Sequence, residues 1–270
     1  MSTANASSET KRISTGSSGL DALLQGGFLP NRSYLIGGEP GTGKTIACIQ
    51  FLLAGLKNAE KSVYVTVDER PAEILQSAAS LGWDLQKNVQ DKSLVILDAS
   101  PYFTGRTPGV GEKGLDLGKF VSDLADYANR LGATRLAIDP ITPLILPGIS
   151  SSHSQENART LIHLLQTQLT TTNLLTSHSS TRANRLSDGV EEFLAAGVIV
   201  LAMDTASGRL ARTLRVKKMR ATAIEPADYP FTILKNKGID LLTAQKKPIV
   251  VDEITGHGLE FFELSKSDPL

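Results

Sequence analysis

Neither sign of charge is in excess in this chain: 28 lysines and arginines balance 28 aspartates and glutamates over 270 residues. A protein that wraps nucleic acid ordinarily carries a basic surplus to replace phosphate counterions, so the balance argues against a nucleic-acid partner. Cysteine is almost missing. The lone Cys48 has no partner for an internal disulfide, which fits a reducing compartment such as the cytoplasm. Its place in the apolar run 46–56 predicts a buried thiol rather than a reactive one. Uncharged runs of roughly 18 residues, the length needed to span a bilayer, are absent as well. The opening MSTANASSETKR lacks an apolar core, so it is expected to be a tail and not a secretory signal.

What is present is apolar mass in a regular order. Hydrophobic residues make up 41% of the chain and charged residues 21%, values of a globular protein with a large core. Short β-branched or apolar runs occur at 33–36, 63–67, 94–97, 136–138, 174–176 and 198–202. Between them lie helical patterns. Residues 45–56 are apolar on nearly every face, apart from Gln50, which predicts a buried helix. Residues 71–81 begin with Pro71 behind Asp68 as a candidate cap. Residues 115–131 and 155–169 repeat apolar residues three and four apart, as in Ala158, Leu161, Leu165 and Leu169. Strands alternating with helices predict a mostly parallel sheet covered on both faces. Beyond residue 198, turn residues at 204–209 join two strand-like runs, which predicts an antiparallel hairpin at the sheet edge, and 231–234 reads as a further strand. The Gly/Ser/Thr/Pro-rich segments 101–114 and 147–154 read as loops. No internal repeat is visible. One α/β domain over 12–245 is expected, flanked by tails at 1–11 and 246–270.

The strongest motif is GEPGTGKT at 38–45, which satisfies G-x-x-x-x-G-K-[ST] between a strand and a helix. The glycines let successive N–H groups turn inward toward phosphate oxygens, and the following helix adds the positive end of its dipole. Lys44 would reach the β- and γ-phosphates, and the Thr45 hydroxyl would ligate Mg²⁺. Such a loop needs a carboxylate at the end of another core strand, and Asp139 closes the run 135–139. Alone, an aspartate there is more often a turn residue or cap. With the phosphate loop roughly 100 residues upstream, the reading turns to a ligand of the metal's water shell. Asp68 and Glu69 close the run 63–67 at the same sheet end, where a carboxylate can orient the attacking water, while Asp68 also fits a helix cap. His178, after another strand, reads first as an exposed loop histidine. No His or Cys spacing forms a metal cage. The basic run 209–220 has three readings: a solvated strand face, a nucleic-acid patch, or a charge donor to a neighbour's nucleotide.

Taken together, the motifs resemble the ATPase domain of the KaiC family within the RecA superfamily, over about residues 12–242. The likeness includes Ser14, Thr15, Gly16, Gly19, Leu20 and Asp21 ahead of the loop, then GWDL at 82–85, LDAS at 97–100, GVEEF at 189–193 and YPFTI at 229–233. It implies a RecA-like α/β domain that binds Mg-ATP and hydrolyses it at subunit interfaces of a ring, a hexamer in the family. It implies nucleotide contacts from Gly41, Thr42, Gly43, Lys44, Thr45 and Ile46, and paired catalytic carboxylates at Asp68 and Glu69. Lys218, Met219 and Arg220 match a Lys-x-Arg element that reaches the neighbouring subunit's ATP. Ser80 and Thr222 fall where the family touches the base side. Ala221 stands where the family has glycine, and Leu234 and Lys235 replace a Thr-Asp pair. Two other outputs fit the same fold: an ATP-dependent switch or scaffold with negligible turnover, read by a regulatory protein partner, and a nucleic-acid-dependent ATPase, which the charge balance disfavours.

Overall fold

The computed structural model describes residues 11–102, 115–145, 154–178, 194–206 and 209–242, of which 204–206, 209 and 210 are described by backbone alone. Both expected tails, nearly all of the two loop segments and the 189–193 motif lie outside the described residues, apart from Lys11. The elements run α1 (Ser18–Leu23), β1 (Ser33–Gly38), α2 (Lys44–Leu56), β2 (Lys61–Thr66), α3 (Pro71–Ser80), α4 (Gln86–Gln90) and β3 (Leu94–Asp98). They continue with α5 (Leu117–Leu131), β4 (Ala133–Asp139), α6 (Thr142–Ile145), α7 (Ser154–Gln168), β5 (Thr172–His178) and β6 (Gly197–Ala206). β7 (Arg209–Met219), β8 (Asp228–Leu234) and β9 (Gly238–Leu241) complete the described chain.

All the strands join one sheet in the order β3-β2-β4-β5-β1-β6-β7-β8-β9. The strands from β3 to β6 are parallel and β7, β8 and β9 are antiparallel, so the expected hairpin is present and two further strands extend it. Strand period two divides the core cleanly. Tyr34, Ile36, Tyr64, Ala137, Leu174, Ile199 and Leu201 face one side, where α2 packs. Leu35, Val63, Val65, Leu136, Ile138, Leu175 and Val198 face the other, under α5 and α7. This is the RecA-like α/β arrangement anticipated above.

Helix α2 is apolar all round because it is covered twice, by the parallel sheet and by β9 curling back across it. Its one polar exception is used. The Gln50 amide donates to Gly16 O (2.9 Å) and Ile239 O (3.2 Å) and accepts from Ile239 N–H (2.8 Å). Cys48 is fully buried among these residues, and burial raises its thiol pKa well above the usual value, as its apolar run implied.

One local expectation is corrected. Asp68 does not cap α3; the N-cap is Arg70, extended at φ −76° and ψ 149° as a residue before proline must be. Its N–H donates to Glu73 Oε2 (2.8 Å), which leaves Asp68 outside the helix start.

Arg135 on β4 is the largest fully buried side chain among the described residues, 1% exposed. It donates to Glu60 Oε2 (2.7 Å), Ser14 O (2.7 Å) and Phe51 O (2.8 Å), with its guanidinium 4.9 Å from the Phe51 ring centre. Removing it orphans two carbonyls and a half-buried carboxylate. Arg135→Met is therefore expected to lower unfolding free energy by about 3 kcal/mol, measured by denaturant titration; a loss under about 1 kcal/mol would contradict this account.

Candidate functional site

β1 ends at Gly38, and residues 39–43 curl back before α2 starts at Lys44. The curl depends on Gly43, which caps the helix at φ 112°, a left-handed backbone that favours glycine, and where a Cβ would stand 3.1 Å from Ile233 Cδ1. A helix start leaves its first N–H groups without intrahelical partners, so they face the loop's hollow. Lys44 folds over that hollow, with Nζ donating to Gly38 O (2.8 Å) and Glu39 O (2.9 Å). Burial lowers its pKa, an effect the Asp139 carboxylate partly offsets. Thr42 turns away beneath the loop, fully buried, and donates to Glu39 O (2.8 Å).

Register brings the second half of the site into place. β5 lies between β1 and β4, with Gly38 opposite His178. Asp139 at the end of β4 is held by neighbours on both sides. Thr45 Oγ1 and Tyr64 OH each donate to Oδ2 at 2.7 Å, and Thr176 Oγ1 donates to Oδ1. Burial, together with the Asp139 charge, keeps the Tyr64 phenol well above its usual pKa, so it serves as a neutral donor.

A cleft of about 310 Å³ opens between the loop and the ends of β2, β4 and β5. Gly41, Gly43, Lys44, Thr45, Ile46, Asp68, Glu69 and Asp139 line it together. Burial raises the Glu69 pKa, and the negative charges of Asp139, Glu73 and Asp68 raise it further, the direction expected of a carboxylate suited to accept a proton. His178 also lines the cleft, at the end of a strand and not in a loop. Thr142 Oγ1 accepts its backbone N–H (3.0 Å), and its Nε2 lies 3.9 Å from Asp68 Oδ2.

The remaining sequence candidates lie elsewhere. Met219 pairs with Gly197, which pairs with Tyr34, four residues before Gly38. Lys218, Met219 and Arg220 therefore sit at the opposite end of the sheet, about 13 Å back along β1. Lys218 Nζ donates to Ala195 O (2.9 Å), away from the cleft. Thr222 accepts from Arg12 Nη1 (2.9 Å) at that same far end. Ser80, in the last turn of α3, donates to Ser77 O (2.7 Å) and is exposed. Tyr64 and Thr176 escaped the sequence reading. Their only signal is polarity within apolar strands, and it acquires meaning once β2 and β5 are known to flank β4.

The donor set suits a hard divalent cation: one hydroxyl and one carboxylate at the phosphate loop. Among the described residues no cluster of three or more His, Cys, Asp or Glu could form an all-protein cage. No described helix is long and apolar enough to cross a membrane.

Comparison with known proteins agrees with this geometry. The family model described as "ATPase: KaiC" matches residues 13–257. The circadian clock oscillator protein KaiC of Picosynechococcus sp. is 35% identical over 237 residues, covering 86% of this chain and 44% of that protein. The same-named protein of Synechococcus elongatus is 35% identical over 237 residues, covering 86% and 45%. The chain thus spans under half the length of these curated relatives. A crystal structure of a KaiC-like protein from the archaeon Pyrococcus horikoshii OT3 superposes with TM-score 0.73 at 30% identity, covering 86% of this chain and 99% of that one. A phosphate loop facing a strand-end aspartate, in a RecA-like sheet matched along most of its length, makes this chain a member of the KaiC family of ATPases.

Proposed function

We propose that this protein, through a single domain over 12–245, binds Mg-ATP between subunits of a cytoplasmic ring, a hexamer by family likeness, and hydrolyses it. The observation that carries the reading is the convergence of Lys44, Thr45, Asp139 and Glu69 on one cleft at the end of the parallel strands. Lys44 neutralises the β- and γ-phosphate oxygens, and the loop N–H groups orient them. Thr45 and Asp139 hold Mg²⁺, which when bound offsets charge on the phosphates. Glu69 polarises the water for in-line attack on the γ-phosphoryl group, with Asp68 beside it. The far-end position of Lys218 and Arg220 supports their action on a neighbour's nucleotide, because neither can reach the phosphate loop of its own chain. Met219, Ser80 and Thr222 are assigned to the nucleotide's periphery by family likeness. The clock-protein names of the curated relatives favour a regulatory output read by a protein partner.

Glu69→Gln is expected to bind ATP with near wild-type affinity and to hydrolyse it about 10²-fold more slowly. The raised Glu69 pKa also places the acid limb of wild-type turnover above that of an ordinary glutamate: protonation on lowering pH removes the base, and the limb disappears in the variant. Steady-state phosphate release across pH measures both. Unchanged turnover in the variant would move the role to Asp68.

A further inference from the structure

The turn after β7 is held in a conformation that its residues do not favour. Ala221 sits at φ 54°, in the left-handed region that side-chain-bearing residues avoid. Such a backbone persists only where its surroundings over-determine it. Here the surroundings converge on one side chain from the start of the described chain. Arg12 Nη1 is shared among Thr222 Oγ1 (2.9 Å), Leu24 O (3.0 Å) and Gly27 O (3.1 Å), while Nη2 donates to Ala221 O (3.3 Å). The Leu24 and Gly27 carbonyls belong to the connection between α1 and β1. That connection is drawn close at Gly27, where a Cβ would stand 2.2 Å from Ile13 O. On its other side the end of β7 that leads into the turn is tied to the approach to β6, through Arg220 N–H to Ala196 O (2.8 Å) and Lys218 Nζ to Ala195 O (2.9 Å).

We propose that Arg12 is a positioning residue for the Lys218–Arg220 element: its guanidinium clamps the strained turn at Ala221 and Thr222 onto the α1–β1 connection and so fixes where the two preceding cations are presented. This rests on the shared-site reading above. The fork supplies a second anchor. Nη1 bridges Thr222 to the connection while Nη2 takes the Ala221 carbonyl, two nitrogens where lysine offers a single ammonium.

The test compares Arg12→Ala, Arg12→Lys and Thr222→Val with the double Lys218→Ala, Arg220→Ala variant, in the full chain. Thermal unfolding, Mg-ATP binding and turnover are measured for each. Arg12→Ala is expected to bind ATP within about twofold of wild type and to turn over about tenfold to 10²-fold more slowly, the scale of a small misplacement of a reacting group. Arg12→Lys should fall almost as far. Thr222→Val, which removes one acceptor and keeps the bonds to Leu24 and Gly27, should fall part of the way. Mixed with Lys44→Ala subunits, after labelled-subunit exchange is shown to be complete, Arg12→Ala should regain turnover, because its intact phosphate loop then meets a correctly held neighbour. A purely structural role would damage the variant's own cleft and give no recovery, which would overturn the proposal. Wild-type turnover in Arg12→Ala, beside an impaired Lys218→Ala, Arg220→Ala, would overturn the clamp alone. Full turnover in that double variant would instead sink the shared-site reading. If Arg12→Ala does not fold, undiminished turnover in both Arg12→Lys and Thr222→Val overturns the clamp.

Discussion

Replacing Lys218 and Arg220 together by alanine is expected to leave ATP binding nearly intact while lowering turnover by about 10³–10⁵-fold, the effect of losing a cation that acts on the transferred phosphoryl group. Charge on the γ-phosphoryl oxygens rises toward the transition state, so a cation placed there lowers the barrier more than it improves ground-state binding. Strand register sets the direction of the effect. Within one chain the Lys-x-Arg element is opposite Tyr34, at the far end of β1 from the loop that begins at Gly38. The double variant should therefore be rescued by subunits carrying Lys44→Ala, each supplying what the other lacks. A mixture that exchanges subunits yet stays inactive, or a monomer that hydrolyses ATP at the full rate, would refute trans action.

Lys44→Ala is expected to weaken Mg-ATP binding by about 10²–10⁴-fold, the equivalent of one or two charge-assisted hydrogen bonds lost from a desolvated site. Lys44 is 7% exposed, and its ammonium lies over the hollow where the phosphates would sit. The fold should tolerate the change. Burial lowers the Lys44 pKa, so the charged form disfavours the folded state at every pH below its folded-state pKa. That penalty fades only as pH rises toward the ordinary lysine value. Its removal offsets the loss of a donor to Gly38 O and Glu39 O. Equilibrium binding alongside thermal unfolding separates the two effects: wild-type affinity in a stable variant would mean the loop does not hold phosphate.

The parallel core was legible because its strands are short apolar runs separated by amphipathic helices, and the phosphate loop announces itself by spacing. Residues such as Asp139 and Glu69 could be found by asking which carboxylates end strands. Strand order was beyond that reading, and with it went Tyr64 and Thr176, whose meaning depends on β2 and β5 flanking β4. β9 escaped because four residues carry too little periodicity, although its backbone is what Gln50 grips. Asp68 looked like a cap because it precedes proline at a helix start; the residue next to proline took that place. His178 looked like a loop residue because the apolar run of its strand stops at Thr176, two residues short of the end of β5.

The opposite-end placement of the phosphate loop and the Lys-x-Arg element has a consequence for how completeness scales with assembly. On the shared-site proposal the donor and acceptor surfaces differ, so subunits joined through them would associate head to tail, and such contacts either close into a ring or continue as an open chain. An open chain always keeps one terminal cleft without a neighbour's cations, whereas a closed ring has none. The ratio of fully active clefts to subunits, obtained from burst amplitude against protein concentration, therefore reports closure: unity for a ring, and below unity for an open chain by the reciprocal of its length in subunits.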